Sequence, residues 1–389
     1  MKAGRKIPFK SRSVRRLRAS ALPTVITVCV LITLLVLFAL ALFSLDSLFY
    51  AVYHDGKQLR DDFNSAFVLY CNDSTLTASG VDVPATHRLY ADRPASDFRI
   101  EVEPWGLYER VDVRFGNARS VRLLGRVQDS PYEAALWLCN REIALSFAGT
   151  TETVGTVYLP FNGINYIEVE GRPFSGKMLH EADVRLSEKE LPPVDSTVIA
   201  RMDKLLKEAV TDRLTLSNAH PLVDTLIAGR TVIIEDGFTG ALQIVASDTV
   251  IIGEHVHLRY PSGIYLKNEK VKPYLRLGAH SSLEGYAVLF DGNDRTPSSG
   301  LEVACNYHQD TDAFFRGLLY VDGIADVRGT VRGGIYLKEC YYLPPDGLYA
   351  GTLCNVRIER DSTVAYPLLL KGCEYRRREI KSLKKEPKE

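Results

Sequence analysis

The longest apolar stretch of the chain lies near the N-terminus. Residues 25–43 are apolar except for two threonines, and no charged residue occurs between Arg18 and Asp46. As an α-helix, these residues would span about 29 Å, close to the thickness of the hydrocarbon core of a bilayer. A soluble helix has one apolar stripe, whereas this segment is apolar on every side. The sequence therefore predicts a transmembrane helix over residues 21–45.

The charges around this helix predict its orientation. The first 45 residues contain eight basic side chains and no acidic one. Because basic flanks stay in the cytoplasm, we expect residues 1–20 to be a basic cytoplasmic segment of a single-pass inner (cytoplasmic) membrane protein. The body would then lie in the periplasm or outside the cell. The alternative is a cleaved signal peptide, since Ala39-Leu40-Ala41 fits a cleavage site, although the apolar segment is longer than is usual for one.

Beyond the apolar stretch, the pattern changes to a helical period and then to alternation. Apolar positions from Leu48 to Tyr70 recur mostly at helical spacing, which predicts an amphipathic helical extension over residues 46–71. A membrane helix that continues in this way has the architecture of pilin-like proteins, although their processing signal is absent. Further along, alternation such as that of Phe98–Val102 predicts strands, so we expect a small β-rich domain over residues 72–190.

Residues 191–228 are predicted to form a helical connector. Pro192 and Pro193 mark a boundary, and Asp195 can cap the helix that follows them. We expect the apolar stripe of this helix to pack against the edge of a β-domain. The stripe consists of Val198, Met202, Leu205, Leu206 and Ala209.

Residues 229–373 have the pattern of many short strands. A β-sandwich usually has a turn every 8–12 residues or so, whereas turn residues recur here about every five or six residues. Closer turns favour a β-solenoid (a short-rung β-helix), whose coils stack apolar side chains on one another. The predicted fold class is therefore mainly β, with an N-terminal transmembrane helix, a small β-rich domain and a C-terminal β-solenoid. Four glycines recur here at intervals of six, six and five residues: Gly317, Gly323, Gly329 and Gly334.

Three segments of this region carry a family resemblance. They are residues 301–303 (LEV), 316–323 (RGLLYVDG) and 327–336 (VRGTVRGGIY). Here the chain resembles the polymer-forming β-helix of bactofilins, and it is similar to single-pass bacterial envelope proteins with a comparable C-terminal region. The resemblance covers roughly the last 150 residues. It implies a β-helix that can associate with further copies of itself.

The net charge of zero conceals an uneven distribution. Residues 46–373 carry 33 basic and 44 acidic side chains, whereas residues 374–389 carry seven basic and four acidic ones. Because phosphate binding needs a basic face, a body with a net charge of −11 argues against a nucleic-acid partner. We expect a solvated charged tail over residues 374–389. The expected partners are the lipid bilayer, through residues 21–45, and envelope proteins or further copies of the chain.

The cysteines are compatible with an exported body, whether they form disulfides or remain free thiols. Cys29 lies in the apolar stretch. The other six cysteines are an even number, and in an exported body they could pair as disulfides. The distribution suggests one pair in the front half, Cys71 with Cys139, and two pairs in the rear half; six buried free thiols are the alternative. The cysteines outside the apolar stretch are Cys71, Cys139, Cys305, Cys340, Cys354 and Cys373.

Few residues occur in patterns that carry known chemistry, and no nucleotide-binding, serine-hydrolase or zinc-protease motif occurs. His255 and His257 would face the same side of a strand, but without a third ligand they fit a solvated strand face. Asp291–Asp294 offers oxygen ligands, yet an ordinary polar turn explains it better than a calcium loop does. The sequence therefore predicts no catalytic residue, cofactor or metal site.

These observations favour a role without catalysis. The predicted function is a membrane-anchored extracytoplasmic scaffold or assembly protein of the bacterial envelope, such as an accessory of a pilus-like or surface structure. The alternative is a polysaccharide-binding or polysaccharide-cleaving β-helix protein, in which Asp310 and Asp312, next to His308, would act as acid and base. Three tyrosines would then stack on sugar rings: Tyr341, Tyr342 and Tyr349.

Overall fold

In the computed structural model, the chain is mainly β, with one long helix near the N-terminus. It forms two compact units, residues 1–64 and residues 65–389. The described part contains two α-helices, α1 (Ala21–Asn72) and α2 (Ser196–Glu208), and a short 3₁₀ helix at Glu181–Asp183. The structure describes residues 21–72, 85–92, 96–128, 132–208, 211–218, 222–292, 305–345, 347–371 and 377–383.

The described residues contain 23 strands in three sheets. The strands of the first half are β1 (Ala85–Arg88), β2 (Asp97–Trp105), β3 (Tyr108–Phe115), β4 (Ala118–Arg126), β5 (Leu136–Leu138), β6 (Leu145–Ala148), β7 (Glu152–Val154), β8 (Val157–Leu159), β9 (Ile164–Tyr166) and β10 (Val184–Leu186). Those of the second half are β11 (Arg213–Leu216), β12 (Val223–Ile234), β13 (Thr239–Ile252), β14 (His257–Asn268), β15 (Tyr274–Leu277), β16 (Ser282–Asp291), β17 (Tyr307–Gln309), β18 (Phe314–Asp326), β19 (Gly329–Tyr342), β20 (Tyr349–Ala350), β21 (Thr352–Cys354), β22 (Val356–Glu359) and β23 (Arg377–Leu383).

Helix α1 covers the predicted span 21–45 and the predicted extension 46–71 without a break. Its apolar part is long and apolar enough to cross a membrane, and it is not buried inside the protein. The hydroxyls of Thr27 and Thr33 each donate a hydrogen bond to the carbonyl four residues earlier, at 2.7 and 2.8 Å. Because these polar groups are satisfied within the helix, they do not oppose its transfer into hydrocarbon.

The first sheet is antiparallel, in the order β1-β2-β3-β4-β23, and so it includes a strand from the C-terminus. The prediction of a solvated tail is therefore wrong for residues 377–383, while the rest of that tail lies outside the described residues. The charges of this strand pair with charges on β3 and β4. Arg377 binds Glu109 (2.6 Å), and Glu379 binds Arg122 (2.8 Å). Such pairs of opposite charge stabilise a sheet.

The second sheet has fifteen strands and is built from two separate parts of the chain. Its central strands are parallel, in the order β10-β8-β5-β19-β18-β16-β14-β13-β12-β11. Strands β5, β8 and β10 come from residues 136–186, and they join the later strands where Leu136 lies opposite Ile335. The predicted border between residues 72–190 and residues 229–373 is therefore not a domain border, because both sides share one sheet.

The predicted connector, residues 191–228, is helical only in its first part. The Asp195 carboxylate accepts a hydrogen bond from the backbone N–H of Thr197 (2.9 Å), and thereby caps α2. Val198 and Met202 of this helix are buried against the large sheet. Beyond α2, strand β11 and the start of β12 are already part of that sheet.

One face of the large sheet carries a continuous aliphatic column, in which one residue from each strand lies opposite the next. All members except the two terminal ones are fully buried. Each fully buried side chain of this size contributes about 1.5–3 kcal/mol relative to exposure, so the column is a main source of stability. The aliphatic column consists of Ile227, Ile244, Ile264, Ala287, Leu319, Ile335, Leu136, Val157 and Val184.

The opposite face of the same strands carries an aromatic column. Neighbouring rings are in contact, with centroids 6.4 Å apart for Tyr320 and Tyr336, and 4.2 Å apart for Trp137 and Tyr158. Helix α2 and residues 364–370 pack on this face, so the strands are buried on both sides. The aromatic column consists of Tyr265, Tyr320, Tyr336, Trp137 and Tyr158, and Val288 lies between Tyr265 and Tyr320 in the same row.

Three glycines lie opposite one another in adjacent strands of the large sheet: Gly285, Gly317 and Gly333. Their φ angles are +142°, +133° and +142°. A Cβ atom on Gly317 would lie 1.8 Å from the carbonyl oxygen of Gly285, so only glycine fits. The glycines that recur at intervals of five or six do not mark a turn each, because Gly317, Gly323 and Gly334 lie inside strands. The relevant spacing is the 16 residues from Gly317 to Gly333, which separates two adjacent strands.

We expect the substitution Leu319→Ala to lower the free energy of unfolding by about 2–5 kcal/mol, because it opens a cavity in the aliphatic column. Urea denaturation of the full chain in detergent, followed by tryptophan fluorescence, measures this change. Val271→Ala is the control, since Val271 is 47% exposed and its truncation should change stability by less than about 0.5 kcal/mol. Equal stability of the two variants would contradict the assignment of Leu319 to the core.

Candidate functional site

His308 lies at the centre of a charged cluster that joins three neighbouring strands. Its Nδ1 atom lies 3.2 Å from an oxygen of Asp326, and its Nε2 atom lies 3.1 Å from an oxygen of Asp310. Arg276 donates to Asp310 (3.2 Å). Arg328 donates to both oxygens of Asp326, at 3.0 and 2.6 Å. The structure therefore brings together His308 and Asp310 of the predicted cluster, with Asp326 and two arginines in addition.

The electrostatics of this cluster do not suit Asp310 for acid catalysis. Burial raises the pKa of its carboxyl, but hydrogen bonds from His308 and Arg276 outweigh that effect and lower the pKa below its ordinary value. A general acid needs the opposite shift. Asp312 is exposed, two residues further along a turn. Asp326 is completely buried, and Arg328 compensates its charge. The cluster therefore has the properties of a structural clasp between strands.

The tyrosines that were predicted to stack on sugars are mostly buried. Tyr341 and Tyr342 are 8% and 7% exposed, and Tyr349 is half-buried. The guanidinium of Arg328 lies 4.8 Å from the ring centroid of Tyr342, whose hydroxyl donates to Glu170 (3.1 Å). The faces of Tyr341 and Tyr342 are therefore not available to a sugar ring, and this part of the polysaccharide hypothesis is wrong.

The predicted pair of histidines does not share a strand. His255 lies in a turn with φ +56°, and its ring stacks on that of His280 at 5.0 Å between centroids. His257 begins β14 and contacts the hydroxyl of Ser282 (3.0 Å). Across the described ranges, no group of three His, Cys, Asp or Glu side chains could hold a metal ion. Of the predicted polar turn, Asp291 ends β16, while residues 293–294 lie outside the described residues.

The six cysteines of the described residues are free thiols, and Cys373 lies outside these residues. The predicted pair of Cys71 with Cys139 does not form. Cys71 lies in the last turn of helix α1, whereas Cys139 is buried with the aromatic column. Burial raises the pKa of the Cys139 and Cys340 thiols to about 12. Because the thiolate is the reactive form, these two thiols are poor nucleophiles at neutral pH.

The end of α1 is fastened to the antiparallel sheet by a second buried cluster, which the sequence reading missed. Arg377 donates two hydrogen bonds to Glu109, at 2.6 and 3.2 Å, and its guanidinium lies 4.8 Å from the ring centroid of Tyr70. The Tyr70 hydroxyl also donates to Glu109 (3.3 Å). Arg377 is only 5% exposed, so its charge is strongly coupled to that of Glu109. One turn earlier, the Arg122 guanidinium lies 4.2 Å from the Phe67 ring.

The two ends of the large sheet are its least covered parts. Among the described strands, β10 pairs only with β8, and β11 pairs only with β12. Strand β11 therefore presents backbone N–H and C=O groups along its outer edge, which is a template for another strand. On β10 this edge is partly capped, because the backbone N–H of Val184 donates to Glu181 and its carbonyl accepts from the Arg185 guanidinium (2.8 Å). The sequence reading missed these edges, because strand order depends on pairings between distant residues.

The segment that follows β8 and ends with β10 carries three exposed large apolar side chains. Phe161 is 77% exposed, Met178 is 66% exposed and Leu186 is 68% exposed. The core beneath them is closed, since Phe174 packs against the ring of Tyr166 in a tilted arrangement (4.6 Å between centroids). These exposed side chains are therefore not needed to close the core. We call strand β10 with Phe161, Met178 and Leu186 the β10 end surface.

We expect Asp310→Asn to lower the free energy of unfolding by about 1–2 kcal/mol at pH 7, because the ionised carboxylate accepts charged hydrogen bonds. The folded-state pKa is lowered, so this contribution is present above the ordinary pKa of 3.8. It is lost as the pH falls through the lower folded-state value. In denaturant titrations at pH 7, 5 and 3, the difference in the free energy of unfolding between the parent chain and Asp310→Asn should become smaller at the lowest pH.

Asp312→Asn is the matched control for this experiment, because Asp312 is an exposed carboxylate two residues away. It should leave the stability unchanged at each pH. A loss of stability in Asp310→Asn that does not depend on pH would contradict the role of the charge.

Comparisons with protein-family models, with curated proteins and with solved structures found no match for this chain. The argument for function therefore depends on the geometry of the chain itself. The chain has a helix long and apolar enough to cross a membrane, buried charges that are held in ion pairs, and exposed apolar side chains at one end of the parallel sheet.

Proposed function

We propose that this protein is a membrane-anchored scaffold or assembly protein of the bacterial envelope, without catalytic activity. The β10 end surface carries this proposal. It combines the terminal strand of the parallel sheet, whose outer edge pairs with no described strand, with three exposed apolar side chains, and such surfaces mark sites of protein association. An accessory of a pilus-like or surface structure is one setting in which such a protein would act.

The body is proposed to be a β-solenoid. Supporting this, successive strands from β12 to β19 in the large sheet are parallel, with equivalent residues between 15 positions apart (Ala325 and Cys340) and 32 positions apart (Ser282 and Phe314). The joint between β19 and β5 is different, since it pairs Ile335 with the distant Leu136. Coils of unequal length can stack because the aliphatic column keeps its register while the insertions lie in the turns. A solenoid has two ends by construction, which fits the two unpaired edges.

The membrane anchor and its orientation are proposed from the charge distribution. The apolar part of α1 follows eight basic residues and precedes an acidic body. Basic flanks resist translocation, so the N-terminus would stay in the cytoplasm and residues beyond the helix would reach the periplasm or the outside. The anchor would keep the scaffold at the inner membrane.

A second copy of the chain is the occupant that we propose for the β10 end surface. Every copy carries both an unpaired β10 edge and an unpaired β11 edge, both of which belong to the same parallel sheet. A second copy could therefore continue the sheet without changing the direction of the strands. The partly buried Leu214 and Leu216 of β11 would contact the exposed apolar side chains of the β10 end surface.

We expect the detergent-solubilised full chain to associate reversibly, and the double variant Phe161→Glu, Leu186→Glu to weaken this association at least tenfold. Two buried carboxylates would oppose the contact, and a tenfold change in the dissociation constant corresponds to about 1.4 kcal/mol. Sedimentation velocity over a range of concentrations measures the effect. The control Val271→Glu introduces the same charge at an exposed apolar site elsewhere and should associate like the parent chain.

A parent chain that sediments as a monomer at every concentration would rule out self-association. Equal weakening by the control variant would mean that charge alone, and not the β10 end surface, determines association.

We expect the chain to remain in the membrane fraction after carbonate extraction, and a reporter active only in the cytoplasm to be silent when fused after Glu389. Protease added to the outer side should leave a protected fragment of roughly 5 kDa, the size of the basic segment plus the membrane span. The control is the same reporter fused before Met1, which should be active. An active C-terminal reporter would contradict the proposed orientation.

A further inference from the structure

Helix α1 remains apolar and exposed well beyond residue 45, where the predicted membrane span ends. Between Asp46 and His54 its side chains are apolar or aromatic apart from Ser47. The helix is continuous through this stretch, and the exposed fractions of its large side chains are 60% or more. The exposed large side chains are Leu48 (60%), Phe49 (69%), Tyr50 (70%), Val52 (63%) and Tyr53 (71%).

The directions of these side chains point to lipid as the surrounding medium. In an α-helix, each residue is rotated by about 100° from the one before it. Positions 48, 49, 50, 52 and 53 therefore cover about 200° of the helix circumference, which is wider than a stripe of roughly 100° that packs against protein. Ser47, Ala51 and His54 lie on the remaining side. A partner helix or a protein groove covers one stripe, whereas lipid surrounds a helix completely.

The chemistry of this stretch fits the headgroup region of the bilayer. Tyrosine combines an apolar ring with a polar hydroxyl, and tyrosines are enriched where the hydrocarbon core meets the headgroups. Tyr50 and Tyr53 lie one turn apart, and the ring of Tyr50 lies 6.2 Å from that of His54. Acidic and basic side chains begin directly after this point, with Asp55 and Lys57.

The length of the helix agrees with this reading. From Leu22 to Tyr53 it rises about 47 Å, at about 1.5 Å per residue. A bilayer with both headgroup regions is about 40–45 Å thick, whereas its hydrocarbon core is about 30 Å thick. Residues 25–43 match the core alone. The helix from Leu22 to Tyr53 is slightly longer than the whole bilayer, so with Leu22 at the inner surface Tyr53 would lie at the outer surface of the outer headgroup region. Asp46 is the one charged residue between Leu22 and Tyr53, and it lies at the inner border of that region.

We infer that residues 46–53 form an interfacial segment that binds phospholipid headgroups, and that the water-exposed part of the protein begins at His54. This inference rests on the proposed membrane anchoring. The predicted span, residues 21–45, covers the hydrocarbon core only, and the predicted extension begins inside the lipid. Tyr50 and Tyr53 mark the outer surface of the bilayer.

Cysteine labelling tests the position of this border. The single variants Ser47→Cys, Tyr53→Cys and Lys57→Cys are made in the full chain, reconstituted into vesicles of phosphatidylethanolamine and phosphatidylglycerol. A charged, membrane-impermeant maleimide is added to the body side, and labelling is measured relative to the parent chain. We expect Lys57→Cys to react at least ten times faster than Ser47→Cys, with Tyr53→Cys between them.

The outcomes separate this inference from the anchoring itself. If Ser47→Cys reacts as fast as Lys57→Cys in vesicles that retain the protein, the segment lies in water and the inference fails while the anchoring stands. If Ser47→Cys is protected in native membranes but not in these vesicles, a protein partner covers the segment, and the inference also fails. If carbonate extracts the chain from the vesicles, the anchoring fails, and the inference fails with it.

Discussion

The in-register stacking of parallel strands is the constraint on which the rest of the structure depends. Leu319 can be buried only if Ala287 and Ile335 lie opposite it, and the same condition applies along the whole aliphatic column. A shift of one residue would turn every column member to the other face, where the aromatic column packs. The glycines opposite one another at positions 285, 317 and 333 reinforce the register, since no Cβ atom would fit there.

The joint between β19 and β5 makes the fold depend on both halves of the chain. Leu136 and Trp137 lie opposite Ile335 and Tyr336, about 200 residues away. Strand β23 then returns from the C-terminus to β4, and Arg377 reaches Glu109. Neither the N-terminal nor the C-terminal strands can complete the sheet alone. Such distant pairings cost loop-closure entropy before they contribute stability, so we expect them to form late in folding.

Charged side chains inside the body form ion pairs that hold neighbouring elements together, and this arrangement indicates a structural role for them. Asp326 and Glu109 are each held by an arginine at close range, with a histidine or a tyrosine as the second partner. Removing one member of such a pair would leave an uncompensated buried charge, which is strongly destabilising. A carboxylate that is held in this way is directed at its partner. The arrangement therefore favours a structural body, and leaves the end of the sheet and the helix long enough to cross a membrane as its exposed apolar parts.

Much of this architecture was readable from local sequence. The apolar residues 25–43 predict a helix fit for a membrane, because composition and length alone set that property. Asp195 and the stripe beginning with Val198 predict α2, since capping and helical period act within a few residues. The mainly β character of the body follows from alternation and short apolar runs in the same way. Of the candidate site, the sequence placed His308 beside Asp310, which are neighbours along the chain.

The tertiary structure decided what depends on distant pairing and on burial of both strand faces. Runs such as Leu318–Val321 are apolar throughout, so their pattern does not distinguish the aliphatic face from the aromatic one. For the same reason, Tyr341 and Tyr342 read as surface aromatics but are buried. Which strands become edges, which carboxylates meet an arginine, and whether the charged residues 377–383 form a strand depend on partners far away in the sequence. The sequence by itself determined the local elements and the helix suited to the membrane; only the fold decided their order and which surfaces remain exposed, because register and burial arise from contacts that no local pattern encodes.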